Sequence, residues 1–199
     1  MTPNDIDTRA PVISRHSAVI EAPIEVLWGL HTGVDAWPSW QPDIETARLD
    51  GPFAPGSTFS WHTGGLDIDS TIYRVEPERR TLWGGPAHGI VGIHEWTFTP
   101  LGDGVVRVET AESWSGEPIV ADVGTMQDAL DGSLVDWLGH LRTLPGPDLR
   151  DATAPQEPTG HATPSAGALG TLVGYRAAGF KLSGVGGGRW HVTRPGCAA

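Results

Sequence analysis

Residues 90–114 read IVGIHEWTFTPLGDGVVRVETAESW and give the strongest indication of the architecture. Two runs rich in β-branched and aromatic residues, 90–99 and 105–114, flank a short loop at residues 101–104. The glycines of this loop accept the positive φ angles that a compact hairpin connection requires. Strands joined by so short a loop must run antiparallel. The stretch therefore predicts a β-hairpin with long arms.

Short runs of strand character continue upstream of this hairpin, separated by turns rich in Gly and Pro. These runs lie at residues 12–21, 44–49, 58–62, 66–75 and 80–83. Each combines β-branched or aromatic residues with alternating polarity, which is typical of a strand packed on one face. Together with the hairpin they predict a seven-stranded antiparallel sheet.

Helical periodicity occurs in three places. Residues 24–31 carry apolar side chains at helical spacing and end at Gly33, and the Pro-rich residues 37–42 suggest a further helical turn. From Pro118 onward, one apolar stripe recurs at steps of three and four: Val123, Met126, Leu130, Leu134, Trp137, Leu138 and Leu141. This predicts two short helices after the first strand and one long closing helix.

Composition divides the chain into three parts. Residues 1–11 are polar and are expected to form a flexible N-terminus, and residues 12–144 form the folded domain. Residues 145–199 contain 6 Pro and 11 Gly without a sustained period, so we expect a mostly disordered tail.

Charge and cysteine content exclude several classes of protein. The net charge is −11, and residues 1–144 alone carry 8 Arg against 21 acidic side chains. Such a domain repels phosphate backbones and anionic lipids, so nucleic acid is not an expected partner. Cys197 is the only cysteine, and no signal peptide or membrane span is apparent, so we expect a cytoplasmic protein without membrane insertion.

Six short motifs carry a resemblance to a known superfamily. They are APIEVLW (22–28), WPSW (37–40), VEPERR (75–80), WGGP (83–86) with Gly89-Ile90, HEWTF (94–98) and ESWSG (112–116). In this order they resemble the START/polyketide-cyclase/aromatase superfamily (SRPBCC), which includes birch-pollen-allergen-like proteins, over about residues 14–144. The resemblance implies an α+β helix-grip fold, in which a curved seven-stranded sheet wraps around the C-terminal helix. The superfamily hosts carriers, cyclases, dehydratases and hydrolases, so it specifies function weakly.

Strand alternation brings two titratable residues to the inner face of the sheet. His94 shares a face with Trp96 and Phe98, and Glu112 shares one with Val108 and Trp114. An imidazole and a carboxyl on adjacent inner positions suit general acid–base catalysis, so His94 and Glu112 are the candidate catalytic residues. Two simpler interpretations stay open: a solvated strand end for Glu112, and a hydrogen-bonded core role for His94.

The number of tryptophans exceeds what a core of this size requires. Eight of the nine lie between Trp28 and Trp137, and Trp forms rigid apolar walls with one N–H donor. We therefore expect an internal cavity that favours a flat aromatic or polycyclic ligand. The candidate ligand-binding residues are Trp28, Trp61, Trp83, His88, Trp96, Trp114, Met126, Leu130 and Trp137.

Metal and cofactor chemistry receive little support. His62, His88 and His94 would offer three imidazoles, but a Gly-Pro break separates His88 from its neighbours, so no metal site is predicted. Asp67 and Asp69 share a strand face that is expected to be solvated. There is no nucleophile elbow, P-loop or dinucleotide motif, so no cofactor is expected.

These features lead to two hypotheses of function. The first is a cofactor-independent cyclase or dehydratase of natural-product metabolism, acting on an aromatic or polyketide-like molecule held in the cavity. The alternative is a non-catalytic carrier or sensor of a hydrophobic small molecule, in which His94 and Glu112 only orient the ligand. In either case the partner is a small molecule, and the protein is expected to be a monomer or homodimer.

Overall fold

The computed structural model describes residues 2–143, 181–186 and 189–193. The elements are, in order, β1 (Val12–Ile20), α1 (Ile24–Thr32), a 3-10 turn (Val34–Ala36), α2 (Trp37–Trp40), β2 (Ile44–Asp50), β3 (Thr58–Thr63), β4 (Leu66–Glu76), β5 (Arg80–Ala87), β6 (Ile90–Gly102), β7 (Val105–Gly116), α3 (Glu117–Ala121), α4 (Val123–Thr143), β8 (Lys181–Gly186) and β9 (Arg189–Thr193). Most of the tail predicted for residues 145–199 lies outside the described residues. Within it, β8 and β9 pair antiparallel with each other, in a segment for which the sequence predicts disorder.

The first seven strands form one antiparallel sheet in the order β1-β7-β6-β5-β4-β3-β2. The predicted seven-stranded sheet is therefore confirmed, with its first strand paired to its last. Register shifts interrupt the ladder in β2, β4 and β6. Such bulges bend a strand and increase its twist. They help to curve the sheet around the closing helix.

Strand β5 is longer than the sequence pattern indicates. The prediction ended it at Trp83, whereas pairing with β6 continues through Gly84 and Gly85 to Ala87. Gly84 has a φ of +149°, and a Cβ there would lie 2.1 Å from the Gly92 carbonyl oxygen. The glycines are therefore not a chain break, because they allow two backbones to approach closely within the sheet.

The closing helix is confirmed, but it is divided. Asp122 separates α3 from α4, and its carboxylate accepts hydrogen bonds from the Thr125 N–H (3.1 Å) and hydroxyl (2.8 Å). It therefore caps the N-terminus of α4. The predicted stripe from Met126 to Leu141 is buried, whereas Val123 is exposed. Among the described residues, no helix combines the length and apolar character needed to cross a membrane.

Polar contacts fix α4 against the edge strand β1. The Gln127 side chain donates to the Ile13 carbonyl (2.9 Å) and accepts from the Ile13 N–H (3.3 Å). Asp131 accepts from the Ser14 hydroxyl and lies 3.1 Å from His16 Nε2. The helix thus covers groups of an edge strand that would otherwise lack partners.

The N-terminal segment lies against the outer face of the sheet. Ile6 is buried on Leu82 and Ile93, and the Asp7 N–H donates to the Ser113 hydroxyl (3.0 Å). Arg80 joins Asp5 to Glu95. Residues 5–7 thus pack on the domain, although the sequence suggested a flexible segment up to residue 11.

The inner side of the sheet carries two apolar clusters. The larger contains Trp37, Trp83, Trp96 and Trp137. The smaller is formed by Val12, Ile119, Met126, Leu130 and Leu134, with Trp114 packed against it. The candidate site is lined by residues of both.

Candidate functional site

A cavity of about 120 Å³, partly open to solvent, lies between the sheet and α4. Its walls come from strands β3 to β7 and from α4, with Asp43 from the loop before β2. The lining residues are Asp43, Trp61, Thr63, Leu66, Ile68, Ser70, Trp83, Gly84, Gly85, Ala87, Ile90, Gly92, His94, Glu112, Trp114, Met126, Ala129, Ser133 and Trp137. An apolar cavity of roughly 150 Å³ holds one benzene molecule, so this space suits a single aromatic ring.

Five of the nine candidate ligand-binding residues line this cavity: Trp61, Trp83, Trp114, Met126 and Trp137. Trp61 and Trp83 form a corner, with ring centroids 6.0 Å apart and planes at 88°. The Trp61 N–H donates to Ser70 (3.1 Å), whereas the buried Trp83 N–H has no partner among the described residues. The cavity therefore has a rigid aromatic wall in which the Trp61 indole is fixed by a hydrogen bond.

The other four candidates lie elsewhere. Trp96 is fully buried, and its ring centroid lies 5.0 Å from that of His31. Leu130 lies on α4 and is buried in the smaller apolar cluster, and Trp28 packs edge-on against Phe98 at 5.7 Å. His88 lies in the β5–β6 turn, where Nε2 donates to the Asp67 carbonyl (2.9 Å). The alternation of side chains along a strand predicts which residues face inward. It does not distinguish the residues that line a cavity from those that are packed in the core.

The candidate catalytic residues His94 and Glu112 are direct cross-strand partners on β6 and β7. His94 Nδ1 lies 3.3 Å from Glu112 Oε2, and both residues line the cavity. On the far side of the imidazole, Nε2 lies 2.6 Å from the Thr110 hydroxyl. The Trp114 N–H donates to Glu112 Oε1 at 2.6 Å. Both ring nitrogens and both carboxyl oxygens of the pair are therefore held in place.

Burial sets the protonation of this pair. It raises the pKa of Glu112 to about 7, against the opposing effect of the hydrogen bond from Trp114. Burial also holds the pKa of His94 well below its usual range, and nearby His31 adds to this effect. The imidazole is thus neutral near pH 7, while the carboxyl exchanges between its acid and base forms. A group with these properties can give or take a proton at neutral pH.

A second imidazole lies deeper in the core. His31 of α1 is fully buried, which lowers its pKa to about 3. Its Nε2 lies 2.8 Å from the Thr81 hydroxyl, and its ring packs against Trp96. It does not line the cavity, so its contribution is structural.

Several residues at the site were not identified from the sequence. One part of the cavity wall on β5 and β6 has no side chains, because it consists of Gly84, Gly85 and Gly92. The missing side chains leave space beside Trp83 and Trp114. The sequence pattern assigns Gly84 and Gly85 to a turn and Gly92 to the strand at residues 90–99, so it does not indicate that the three lie together. Thr110, two residues before Glu112 on the same strand, was not among the candidates.

The outer histidines do not converge on His94. His62 Nδ1 lies 2.8 Å from Asp67 and Nε2 lies 3.8 Å from Glu45. Asp67 and Asp69 are exposed, as expected for a solvated face. Across the described ranges, no three His, Cys, Asp or Glu side chains form a group that could hold a metal ion.

Carboxylates also mark the edge of the cavity near α4. Asp43 lines the cavity, and its charge contributes to the raised pKa of Asp136, of which desolvation is the larger cause. His140 has the opposite effect on the pKa of Asp136. This edge therefore carries two neighbouring carboxyl groups, and none of the described lining residues is Lys or Arg.

Comparison with known proteins agrees with this architecture. A sequence model of the family described as "Polyketide cyclase / dehydrase and lipid transport" matches residues 11–146. No curated protein sequence matches the chain.

Solved structures share the fold at low sequence identity. A hypothetical protein from Helicobacter pylori superposes with a TM-score of 0.61 at 17% identity, over 71% of this chain and 96% of that one. A START superfamily protein from Mycobacterium smegmatis gives 0.54 at 12% identity, over 67% and 99%. Norcoclaurine synthase from Thalictrum flavum, in complex with dopamine and hydroxybenzaldehyde, gives 0.52 at 13% identity, over 66% and 84%. These likenesses confirm the helix-grip fold.

Proposed function

Since the chain belongs to the polyketide cyclase / dehydrase and lipid transport family, we propose that it binds a small, largely apolar molecule and catalyses proton transfer on it. The reaction class is that of a cyclase or dehydratase. The observation that carries this proposal is the carboxyl of Glu112, held between His94 and Trp114 on the wall of an aromatic cavity. A carrier needs the cavity, but it does not need a carboxyl whose pKa is raised to about 7.

Each form of Glu112 supports one half of this chemistry. As a carboxylate it takes the proton from a carbon next to a carbonyl, and the C–H electron pair forms the enolate. As an acid it gives its proton to a substrate hydroxyl, which leaves as water. His94 is neutral and pairs with Glu112 in either form. The proton transfer uses side chains alone, so no cofactor enters the proposal.

The size of the cavity restricts the ligand. A space of about 120 Å³ holds one ring, so a polycyclic molecule would extend past the open edge. The ligands named for the norcoclaurine synthase complex are single-ring compounds, which is consistent with such a space in this fold. A long-chain lipid would likewise extend past this edge. The volume therefore favours a small aromatic ligand for an enzyme and for a carrier alike, and it is the raised pKa of Glu112 that supports the enzyme hypothesis.

Deuterium exchange tests the proposal with a simple probe. Acetophenone has one ring and an enolisable methyl group, and NMR in D₂O measures replacement of the methyl protons. We expect Glu112→Gln to slow the protein-catalysed exchange by about 10²-fold or more, with acetophenone affinity, measured by tryptophan fluorescence, kept within a few-fold. Glu109→Gln is the matched control, because Glu109 is an exposed carboxyl on the same strand.

Three outcomes separate the hypotheses. Fast exchange that depends on Glu112 supports the enzyme. Binding without exchange above the Glu112→Gln rate rejects the enzyme and leaves a carrier or sensor. If acetophenone neither binds nor exchanges, the cavity does not take small aromatic molecules and the proposal fails.

A further inference from the structure

Among the described residues, the cavity wall carries acidic groups and no basic side chain apart from a histidine. Its ionisable groups are Asp43, Glu112 and His94, and His94 is neutral because burial lowers its pKa. Within the part of the chain that the structure describes, no Lys or Arg lines the cavity. Residues 1–144 carry a formal charge of −13, so the surrounding field also attracts cations.

The same wall presents indole rings. Trp61 and Trp83 meet at 88° with centroids 6.0 Å apart, and Trp137 and Trp114 complete the aromatic lining. Indole is the strongest cation–π partner among side chains, and its attraction grows when the cation is desolvated. An aromatic corner beside carboxylates offers a favourable environment for an organic cation.

Glu112 lacks a positive partner within the described part of the protein. Its contacts are the neutral His94 and the Trp114 N–H, and its ionised form is therefore poorly compensated. A buried carboxylate is stable when a cation faces it. A positively charged ligand would supply the missing charge.

From this wall we propose that the cavity selects a single aromatic ring carrying a protonated or quaternary amine. This inference rests on the proposed function and names the substrate class of the same site. The ring fits a space of about 120 Å³, and the carboxylate of Glu112 provides the negative charge for the ammonium group. An anionic ligand of the same size would meet only like charge.

Three ligands of matched shape test the selection. Benzylamine, benzyl alcohol and benzoate share a ring and one substituent, and they are cationic, neutral and anionic near neutral pH. Calorimetry should give benzylamine an affinity about tenfold or more above that of benzyl alcohol, with benzoate the weakest. Glu112→Gln should remove most of this preference while leaving benzyl alcohol affinity within a few-fold. Glu109→Gln should change neither.

A pH series adds an independent readout. Benzylamine stays protonated while Glu112 ionises, so its affinity should rise from about pH 6 to about pH 8, and the Glu112→Gln protein should lose this rise. Among the described residues, the other titratable groups of the cavity wall are His94, which contacts Glu112, and Asp43. Helix α4 contributes the non-titrating residues Met126, Ala129, Ser133 and Trp137.

The three ligands distinguish a failure of the cation preference from a failure of the proposed function. Equal affinity for benzylamine and benzyl alcohol, or tighter binding of benzoate, overturns the cation preference and leaves the proposed function standing. If none of the three ligands binds, the proposed function fails, and this inference fails with it.

Discussion

Glu112 lies directly opposite His94 in the β6–β7 pair, with Oε2 3.3 Å from Nδ1. Because the imidazole is neutral, Nδ1 accepts a hydrogen bond from the protonated carboxyl, or donates one to the carboxylate in its other tautomer. The pair therefore changes its hydrogen bonding whenever Glu112 loses its proton. This coupling makes the site sensitive to pH and to the groups around it.

Glu112→Gln is expected to stabilise the protein at alkaline pH. The folded-state pKa of Glu112 is about 7, above the ordinary value of 4.5. Between these two pKa values, Glu112 is ionised in the unfolded state but still protonated in the folded state, so the free energy of unfolding of the wild type falls as the pH rises. Above about pH 7 Glu112 is ionised in both states, and the loss of stability is constant. A shift of this size corresponds to about 3 kcal/mol. A Gln side chain does not ionise, so the variant does not lose this stability. Its amide oxygen accepts from the Trp114 N–H and its NH₂ group donates to His94, as the protonated acid does.

Urea unfolding at about pH 5 and about pH 8 measures this difference. The variant should exceed the wild type by up to about 3 kcal/mol at the higher pH and by little at the lower one. Glu109→Gln, at an exposed position, should show no such dependence. A gap of equal size at both pH values would mean that the Glu112 pKa is not raised.

Thr110 is expected to position His94. Its hydroxyl lies 2.6 Å from Nε2, and both side chains are buried. Thr110→Val keeps the shape but leaves Nε2 without a partner, which costs about 1–3 kcal/mol in stability. It should also shift the pH profile of acetophenone exchange, because the tautomer facing Glu112 is no longer held. Thr110→Ser should restore the profile, and an unchanged profile in the Val variant would assign Thr110 to packing alone.

The pairing of His94 with Glu112 shows how much of the site could be predicted from the sequence. Alternation within each strand predicted that both side chains face inward, and they do. The partner itself depends on a register shift between Pro100 and Gly102. Without this bulge, the Gly102–Val105 pairing would continue down the hairpin and place Ser113 opposite His94. A single extra residue in one strand changes which residues pair across the two strands, and the periodicity of the sequence does not reveal where such a bulge lies.

The cavity wall was less accessible to prediction, because it depends on distant contacts. Trp83 and Trp96 lie on paired strands and both face inward, yet only Trp83 meets the cavity. Trp96 is covered by His31 of α1 and by Trp137 of α4. Whether an inward Trp forms wall or core depends on how helices far along the chain cover it. No local pattern contains that information.

Gly92→Ala is expected to narrow the cavity. A Cβ at this position would lie 3.3 Å from Glu112 Oε1 and 3.5 Å from the Trp114 ring. Only a small adjustment is needed for folding, but the new methyl group occupies ligand space. Acetophenone affinity should fall about fivefold to tenfold, as expected when a well-packed ligand loses contacts worth about 1 kcal/mol.

Gly132→Ala is the control for this substitution. Gly132 is exposed on α4 with no atom within 4 Å of a Cβ added there, so the variant should gain about 0.5–1 kcal/mol of stability without a change in affinity. Equal affinity of the Gly92→Ala protein and the wild type would show that the ligand does not approach β6.

We expect the N-terminal segment to be attached to the sheet mainly by the burial of Ile6, and not by the ion pair of Asp5. Ile6 is 8% exposed and covers Leu82 and Ile93, so Ile6→Ala should cost about 2 kcal/mol in urea unfolding. Asp5 contacts Arg80 at 2.7 Å, but its side chain is 70% exposed. Solvent screens such a pair, so Asp5→Asn should change stability by about 0.5 kcal/mol or less. If Ile6→Ala proved neutral while Asp5→Asn was costly, the ion pair would be the attachment, and the segment would detach at high salt.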